Sequence, residues 1–212
     1  MKLFLDTVSP SPEFTVIKDN KIIQSIQILN GKSNKISECI IPAFLELQKK
    51  VLLEKKIKKL IICTGPGSYT ALRVGVAFMY GLSFSKKIPL IGISCPTIFQ
   101  FNIPKSNQKK TLMLINSSNN QNFISTLSNK NDKFLIKKIS DKLLLEKDDY
   151  LKYDYSISND ILSSNIIEKF NLKNHKVVKF KEIIISNLKL LKSFPTNNVI
   201  EPIYISDNKI LN

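Results

Sequence analysis

The chain has 212 residues, 43% of them hydrophobic, and a formal net charge of +15 from 32 basic and 17 acidic side chains. That is enough chain for one large domain or two small lobes, each with its own core. No run approaches the roughly 18 consecutive apolar residues of a membrane span. Three scattered cysteines (Cys39, Cys63, Cys95) form neither a disulfide framework nor a metal spacing.

The opening MKLFLDT meets an acid at Asp6 after three apolar residues, so no secretory leader is expected and the chain reads as a reduced, cytosolic protein. The positive excess is almost wholly lysine, spread through an isoleucine- and asparagine-rich chain, which favours a solvated surface over a nucleic-acid patch. Lys2 to Asp6 reads as a core strand ending in a carboxylate. After the Ser9-Pro10-Ser11-Pro12 turn, Phe14 to Lys18 and Lys21 to Ile28 are strands around an Asp19-Asn20 hairpin turn. Gly31 to Asn34 is a loop.

A helix is predicted from about Ser37 to Leu53, with Ile36, Ile40, Phe44, Leu47 and Val51 on one stripe and Pro42 kinking it or marking its first turn. Ile41, Leu45 and Leu52 widen its apolar surface beyond what one sheet would cover. Leu60 to Cys63 is a buried strand, Gly65-Pro66-Gly67 a tight turn, and Ser68 or Thr70 a cap for a helix over Ala71 to Phe84. Pro89 to Ser94 returns as a further strand, completing a βαβ unit. Five of the six glycines (Gly65, Gly67, Gly75, Gly81, Gly92) and the only arginine, Arg73, lie between Leu60 and Thr97. Ala71 with Gly75, and Ala77 with Gly81, are small-residue pairs at i,i+4 that let another backbone approach.

The order so far, β-β-β-α-β-α-β, is that of a ribonuclease-H-like lobe. Phe101 to Lys110 reads as a linker. Beyond it, Thr111 to Asn116, Asn122 to Leu127, Phe134 to Ile139 and Tyr153 to Ile157 are strand candidates. Asp160 to Phe170 and Glu182 to Lys192 are helix candidates. The second half reads as a reduced copy of the first, giving an N-terminal lobe over 1–102 and a C-terminal lobe over 103–212.

Catalytic chemistry is hard to find. The Gly65–Ser68 loop precedes a helix, where N–H groups can hold an anion. Yet Thr70 stands where a dinucleotide fingerprint needs its third glycine, and no P-loop lysine follows. Asp6 ends a strand where ribonuclease-H-like enzymes place a metal ligand, but no acid sits obviously beside it, and a turn-capping role is expected. His175 reads as a surface residue in a polar loop. No catalytic residue, metal site or cofactor is assigned.

The run Gly65-Pro66-Gly67-Ser68-Tyr69-Thr70-Ala71-Leu72-Arg73-Val74-Gly75 closely resembles the GPGSFTGLRIG signature of the TsaB (YeaZ) family. Leu5-Asp6-Thr7, Ser37 to Pro42, Ile88 to Ser94 and Glu201-Pro202-Ile203-Tyr204-Ile205 are similar to further family motifs. The chain departs from them at Ile36, where the family has histidine, at Ala71, at Asn116-Ser117-Ser118 and at Ser206. The resemblance implies an α/β fold of the ASKHA (actin-like ATPase, ribonuclease-H-like) type, two lobes with mixed sheets flanked by helices. It also implies a non-catalytic scaffold that pairs with a TsaD-like transferase. That transferase installs threonylcarbamoyl on the adenosine beside the anticodon of tRNA, and a TsaE-like ATPase joins the assembly.

In the family this pairing uses the first two helices. Ile41, Leu45, Leu52, Arg73, Ala77, Tyr80 and Phe84 are therefore the expected partner interface. Gly65, Pro66, Gly67, Ser68, Thr70, Arg73 and Gly75 form the signature loop and helix start that present it. Contact with tRNA is expected to be indirect, and the isolated chain is a possible homodimer. The competing readings are an ASKHA-type nucleotide-binding phosphotransferase using Asp6 and the Gly65–Ser68 loop, and a lysine-rich tRNA-binding module acting alone.

Overall fold

A computed structural model describes residues 1–29, 35–51, 57–118, 121–129, 131–139, 152–172, 174–196, 199–205 and 209–210. The expected loop at Gly31 to Asn34, the interface residue Leu52 and the departure at Ser206 lie outside the described residues. Strand β1 (Lys2–Asp6) pairs antiparallel with β2 (Glu13–Lys18), which pairs with β3 (Lys21–Gln27). Asp19 and Asn20 both take positive φ, 49° and 59°. That is what a two-residue hairpin turn compatible with strand twist requires.

Helix α1 (Ile36–Val51) runs through Pro42, whose missing N–H leaves the Glu38 carbonyl without its helical donor. Strand β4 (Lys59–Cys63) adds parallel to β1. Helix α2 (Tyr69–Lys86) follows, and β5 (Leu90–Ile93) adds parallel to β4. The sheet order is β3-β2-β1-β4-β5.

The second sheet repeats this plan. Strands β6 (Thr111–Asn116), β7 (Asn122–Leu127) and β8 (Phe134–Lys138) form an antiparallel meander. Strand β9 (Tyr155–Ser158) lies parallel to β6, and β10 (His175–Val177) parallel to β9. With β11 (Lys209–Ile210) on the far edge, the order is β10-β9-β6-β7-β8-β11. Strand β6 thus takes the place of β1, and Asn116 the place of Asp6.

Two expectations need correcting. The segment read as a linker carries helix α3 (Cys95–Gln100) before it and closes in a 3-10 turn at Lys105–Lys110. Ser94 caps α3 by accepting the Thr97 N–H at 3.2 Å, with Pro96 in the first turn. His175 lies in strand β10, half-buried, not in a surface loop. Helices α4 (Ser164–Lys169) and α5 (Phe180–Ser186) fall near the two later helix candidates, each shorter than expected.

Alternating strand residues sort into three cores. Leu3, Leu5, Leu60 and Ile62 face α1 and α2. Phe4, Ile61 and Ile91 face inward, with Met113, Ile115 and Phe123 of the second sheet, onto α3 and α5. There the Phe99 and Phe180 rings meet at 5.1 Å. Leu112, Leu114 and Ile124 face α4. The layers therefore run helix, sheet, helix, sheet, helix, and α1 with α2 form one outermost layer. Both sheets are covered on both faces, which is why their strands read as continuous apolar runs.

Residues 199–205 cross back to the first lobe as an extended strap. The Ile203 N–H donates to the Thr64 carbonyl at 2.8 Å, and the Ile200 N–H donates to the Tyr80 hydroxyl. Gly92 leaves the space that Ile200 fills, since a Cβ there would lie 2.7 Å from its Cγ2.

Candidate functional site

The signature loop is a buried crossing point. Thr64 to Ser68 are all buried. Gly65 adopts φ +104°, a region L side chains rarely enter, and a Cβ on it would come within 2.9 Å of Leu72 Cδ1. Gly67 abuts Val8 and the hydroxyl of Ser117. The Ser68 N–H, at the N-terminus of α2, donates to Ser117 Oγ at 3.0 Å. A side chain from the second lobe thus takes the place an anion oxygen would need. Thr70 is exposed on the first turn of α2. Beneath the loop, the Cys95 N–H donates to the Gly65 carbonyl and the free thiols of Cys63 and Cys95 lie 3.3 Å apart. Burial, together with the neighbouring Cys63, holds the Cys95 thiol well above its ordinary value, so it is a protonated packing group rather than a nucleophile.

Asp6 does cap a turn. Its Oδ1 accepts the N–H groups of Val8 (2.8 Å) and Ser9 (3.0 Å), and its Oδ2 accepts the Ser9 hydroxyl at 2.6 Å. Burial pushes its carboxyl up, the Ser9 and Val8 bonds pull it down, and Glu13 adds a small upward push. Ser9 Oγ in turn accepts from Asn159 Nδ2, which also donates to the Asn116 carbonyl, so the network ties the lobes together. A cleft of about 80 Å³ lies beside it, closed by the 2.8 Å ion pair between Lys181 and Glu13. Ligand pockets run to roughly 300–1,000 Å³. No group of three or more metal-ligating side chains gathers among the described residues.

His175 lies between two serines, with Nδ1 2.9 Å from Ser156 Oγ and Nε2 3.2 Å from Ser158 Oγ. Ser158 spends its hydrogen on the Asp160 carbonyl at 2.6 Å, so it accepts from Nε2–H and the ring is the neutral Nε2 tautomer. Its hydroxyl is therefore not the activated partner of a general base.

The outer helical layer is different in kind. Helix α1 buries Ile36, Ile40, Ala43, Phe44 and Leu47, and turns Ile41 and Leu45 outward. Helix α2 buries Ala71, Leu72, Gly75, Val76 and Met79. Its outward stripe holds Tyr69, Arg73, Ala77 and Phe84, and Phe84 is 89% exposed. The two small-residue pairs divide between these faces. Gly75 lets α2 press on Thr7, with 2.7 Å to a would-be Cβ, while Gly81 looks onto open space.

Tyr80 belongs partly to the strap, half-buried with its hydroxyl bonded to the Ile200 N–H. Of the expected interface, Ile41 and Leu45 are exposed on α1, and Arg73, Ala77 and Phe84 are exposed on the outward stripe of α2. Sequence reasoning missed Tyr69 and Tyr204. Their rings pack at 4.5 Å, and Tyr69 receives a 2.8 Å bond from Arg73 Nη1. The i,i+4 spacing of Tyr69 and Arg73 was the available signal.

Two tandem sheets that share a five-strand order, the second extended by the edge strand β11, with equivalent helices α3 and α5 packed between them, define an ASKHA-type α/β protein. The family described as "TsaD: tRNA N6-adenosine threonylcarbamoyltransferase" matches residues 30–210, and the chain belongs to it. A curated relative from Buchnera aphidicola subsp. Acyrthosiphon pisum (strain APS) is named tRNA threonylcarbamoyladenosine biosynthesis protein TsaB. It is 27% identical over 144 residues, 65% of this chain, and the match spans 64% of the relative's length.

Among solved structures, one described as an uncharacterized protein with similarity to peptidase YEAZ from Pseudomonas aeruginosa has a TM-score of 0.63 at 11% identity. It covers 97% of this chain and 99% of that one. YeaZ from Pseudomonas aeruginosa has a TM-score of 0.59 at 11% identity over 96% and 99%. The last two carry the fold. Together the comparisons agree with the TsaB (YeaZ) resemblance of the signature.

Proposed function

We propose that the chain is a non-catalytic partner subunit in tRNA threonylcarbamoyladenosine biosynthesis. It binds a TsaD-like transferase through the outer face of α1 and α2 and works in the cytoplasm, where a TsaE-like ATPase joins the assembly and tRNA is met through the transferase. The observation that carries this reading is the exposure of Ile41 and Leu45 on α1 together with Ala77, Gly81 and an 89% exposed Phe84 on the outward stripe of the neighbouring α2. Covering Phe84 stabilises a complex by roughly 1.5–3 kcal/mol, and covering the half-exposed Ile41 or Leu45 by about half of that. Contiguous exposed patches of this kind mark partner sites. The layer also fits a helical-bundle contact, because Gly81 and Ala77 let a second pair of helices come near.

The experiment is reconstitution with the TsaD-family transferase of the same organism. The isolated chain should leave tRNA unmodified, the pair should associate, and Phe84→Asp should abolish association without altering the chain's melting temperature. Unchanged association of Phe84→Asp would remove this face from the contact.

A further inference from the structure

Resting on that assignment of the α1–α2 face, we infer that Arg73 is its specificity contact, a pre-aimed guanidinium that clamps a carboxylate on the partner, and that Tyr69 and Tyr204 are the residues that aim it. Arg73 is exposed on the outer stripe of α2. Its Nη1 donates to Tyr69 Oη at 2.8 Å, and its guanidinium carbon lies 5.1 Å from the Tyr69 ring centroid. The Tyr204 ring, brought by the strap, packs against Tyr69 with centroids 4.5 Å apart and planes tilted by 44°. The strap is fixed at both ends, by the Ile200–Tyr80 and Ile203–Thr64 bonds, and so runs beside α2 from Tyr80 towards Tyr69. A long side chain that would otherwise sample many rotamers is therefore held at the rim of an apolar surface. The bond to Tyr69 uses Nη1, one of the several donor groups of an exposed guanidinium.

Among the described residues Arg73 forms no ion pair. The two acids on α1 are already engaged, Glu38 with Lys35 at 3.9 Å and Glu46 with Lys50 at 2.6 Å. The α1 helix of a second copy would therefore offer Arg73 no acid that is not already engaged, and that copy would bring a further +15 of charge against the first. Exposed Lys86 and Lys87 at the far end of α2 extend the same sign. The occupant that matches is a protein surface presenting an aspartate or glutamate beside apolar helix residues. An arginine fork reads such a group through two parallel bonds, which lysine cannot do.

The test is isothermal titration of the full chain with the TsaD-family transferase of the same organism, with and without tRNA. Arg73→Lys, which keeps the charge but loses the fork, and Arg73→Gln, which loses both, should each weaken binding by about tenfold. Tyr69→Phe should weaken it about threefold, and this loss should disappear in the Arg73→Gln background, a coupling that a merely structural tyrosine would not show. Full affinity in Arg73→Gln, with Phe84→Asp still abolishing binding, overturns the inference and leaves the proposed function standing. Full affinity in both variants overturns both. A loss confined to titrations containing tRNA would make the anion a phosphate and overturn the carboxylate assignment.

Discussion

Ser117 Oγ, at the head of the second sheet's central strand, accepts the N–H of Ser68 at 3.0 Å and passes its own hydrogen to the Ser118 carbonyl at 3.2 Å. A hydroxyl from one lobe thus finishes the N-terminus of the long helix of the other. Ser117→Ala should cost about 1–3 kcal/mol, since it removes the buried hydroxyl that accepts the Ser68 N–H. Chemical denaturation checks this, and a midpoint equal to that of the parent chain would show the contact to be dispensable.

Gly75 and Gly81 occupy the same helix and should respond in opposite senses. Gly75→Ala drives a methyl into Thr7 and should destabilise by about 1–3 kcal/mol. Gly81→Ala meets nothing within 4 Å and should stabilise the isolated chain by up to about 1 kcal/mol through helix propensity. Thermal melts of the two variants side by side decide it. The Gly81 variant should also bind the transferase less well if the face closes tightly there.

Asp6→Asn separates a turn cap from a catalytic acid. Burial raises this carboxyl above its ordinary 3.8, so the folded chain binds its proton more tightly than the unfolded chain does. Folding stability from this group therefore falls as pH rises past that value, and the charged form is a net cost at neutral pH. Asparagine keeps an acceptor for Val8 and Ser9 and removes the charge. The variant should be at least as stable at pH 7, with a flatter acid limb, and should support tRNA modification by the reconstituted pair. Loss of that modification in a folded Asp6→Asn chain would revive the phosphotransferase reading.

His175 carries the opposite pH signature. Burial lowers its value below 6.5, so the unfolded chain binds the proton more readily. The stability it contributes is present above pH 6.5 and is lost as pH falls through the lower folded value. His175→Gln should flatten this part of the stability profile, measured by denaturation between pH 5 and 8.

The first lobe was legible because its punctuation is ordinary. Gly65, Gly75 and Gly92 mark places where a Cβ has no room, and apolar runs alternate with clear turns. The second lobe uses Asp132, Asn171 and Asn174 at positive φ in place of glycine. Those residues carry no such mark in an asparagine-rich chain, which is why its boundaries drifted. Helix α3 hid for another reason. At six residues, Cys95–Gln100 is too short for periodicity to show, and only Ser94-Cys95-Pro96 announced it. His175 was misplaced because strand β10 is three residues long and lies at a sheet edge. The Arg73–Tyr69–Tyr204 cluster joins residues more than 130 positions apart, and no local pattern reports that.

The strap also sets an order of events during synthesis. On the ribosome, α2 emerges some 120 residues before the Ile200 that seats against it. During that interval the flank of α2 beside Tyr80 is bare, and Tyr69 lacks the ring that backs it. A nascent first lobe can thus acquire its sheet early, but it presents a finished recognition edge only after the tail has been translated and threaded home. Capture of the transferase should accordingly require that residues 199–205 have been made and have docked on α2.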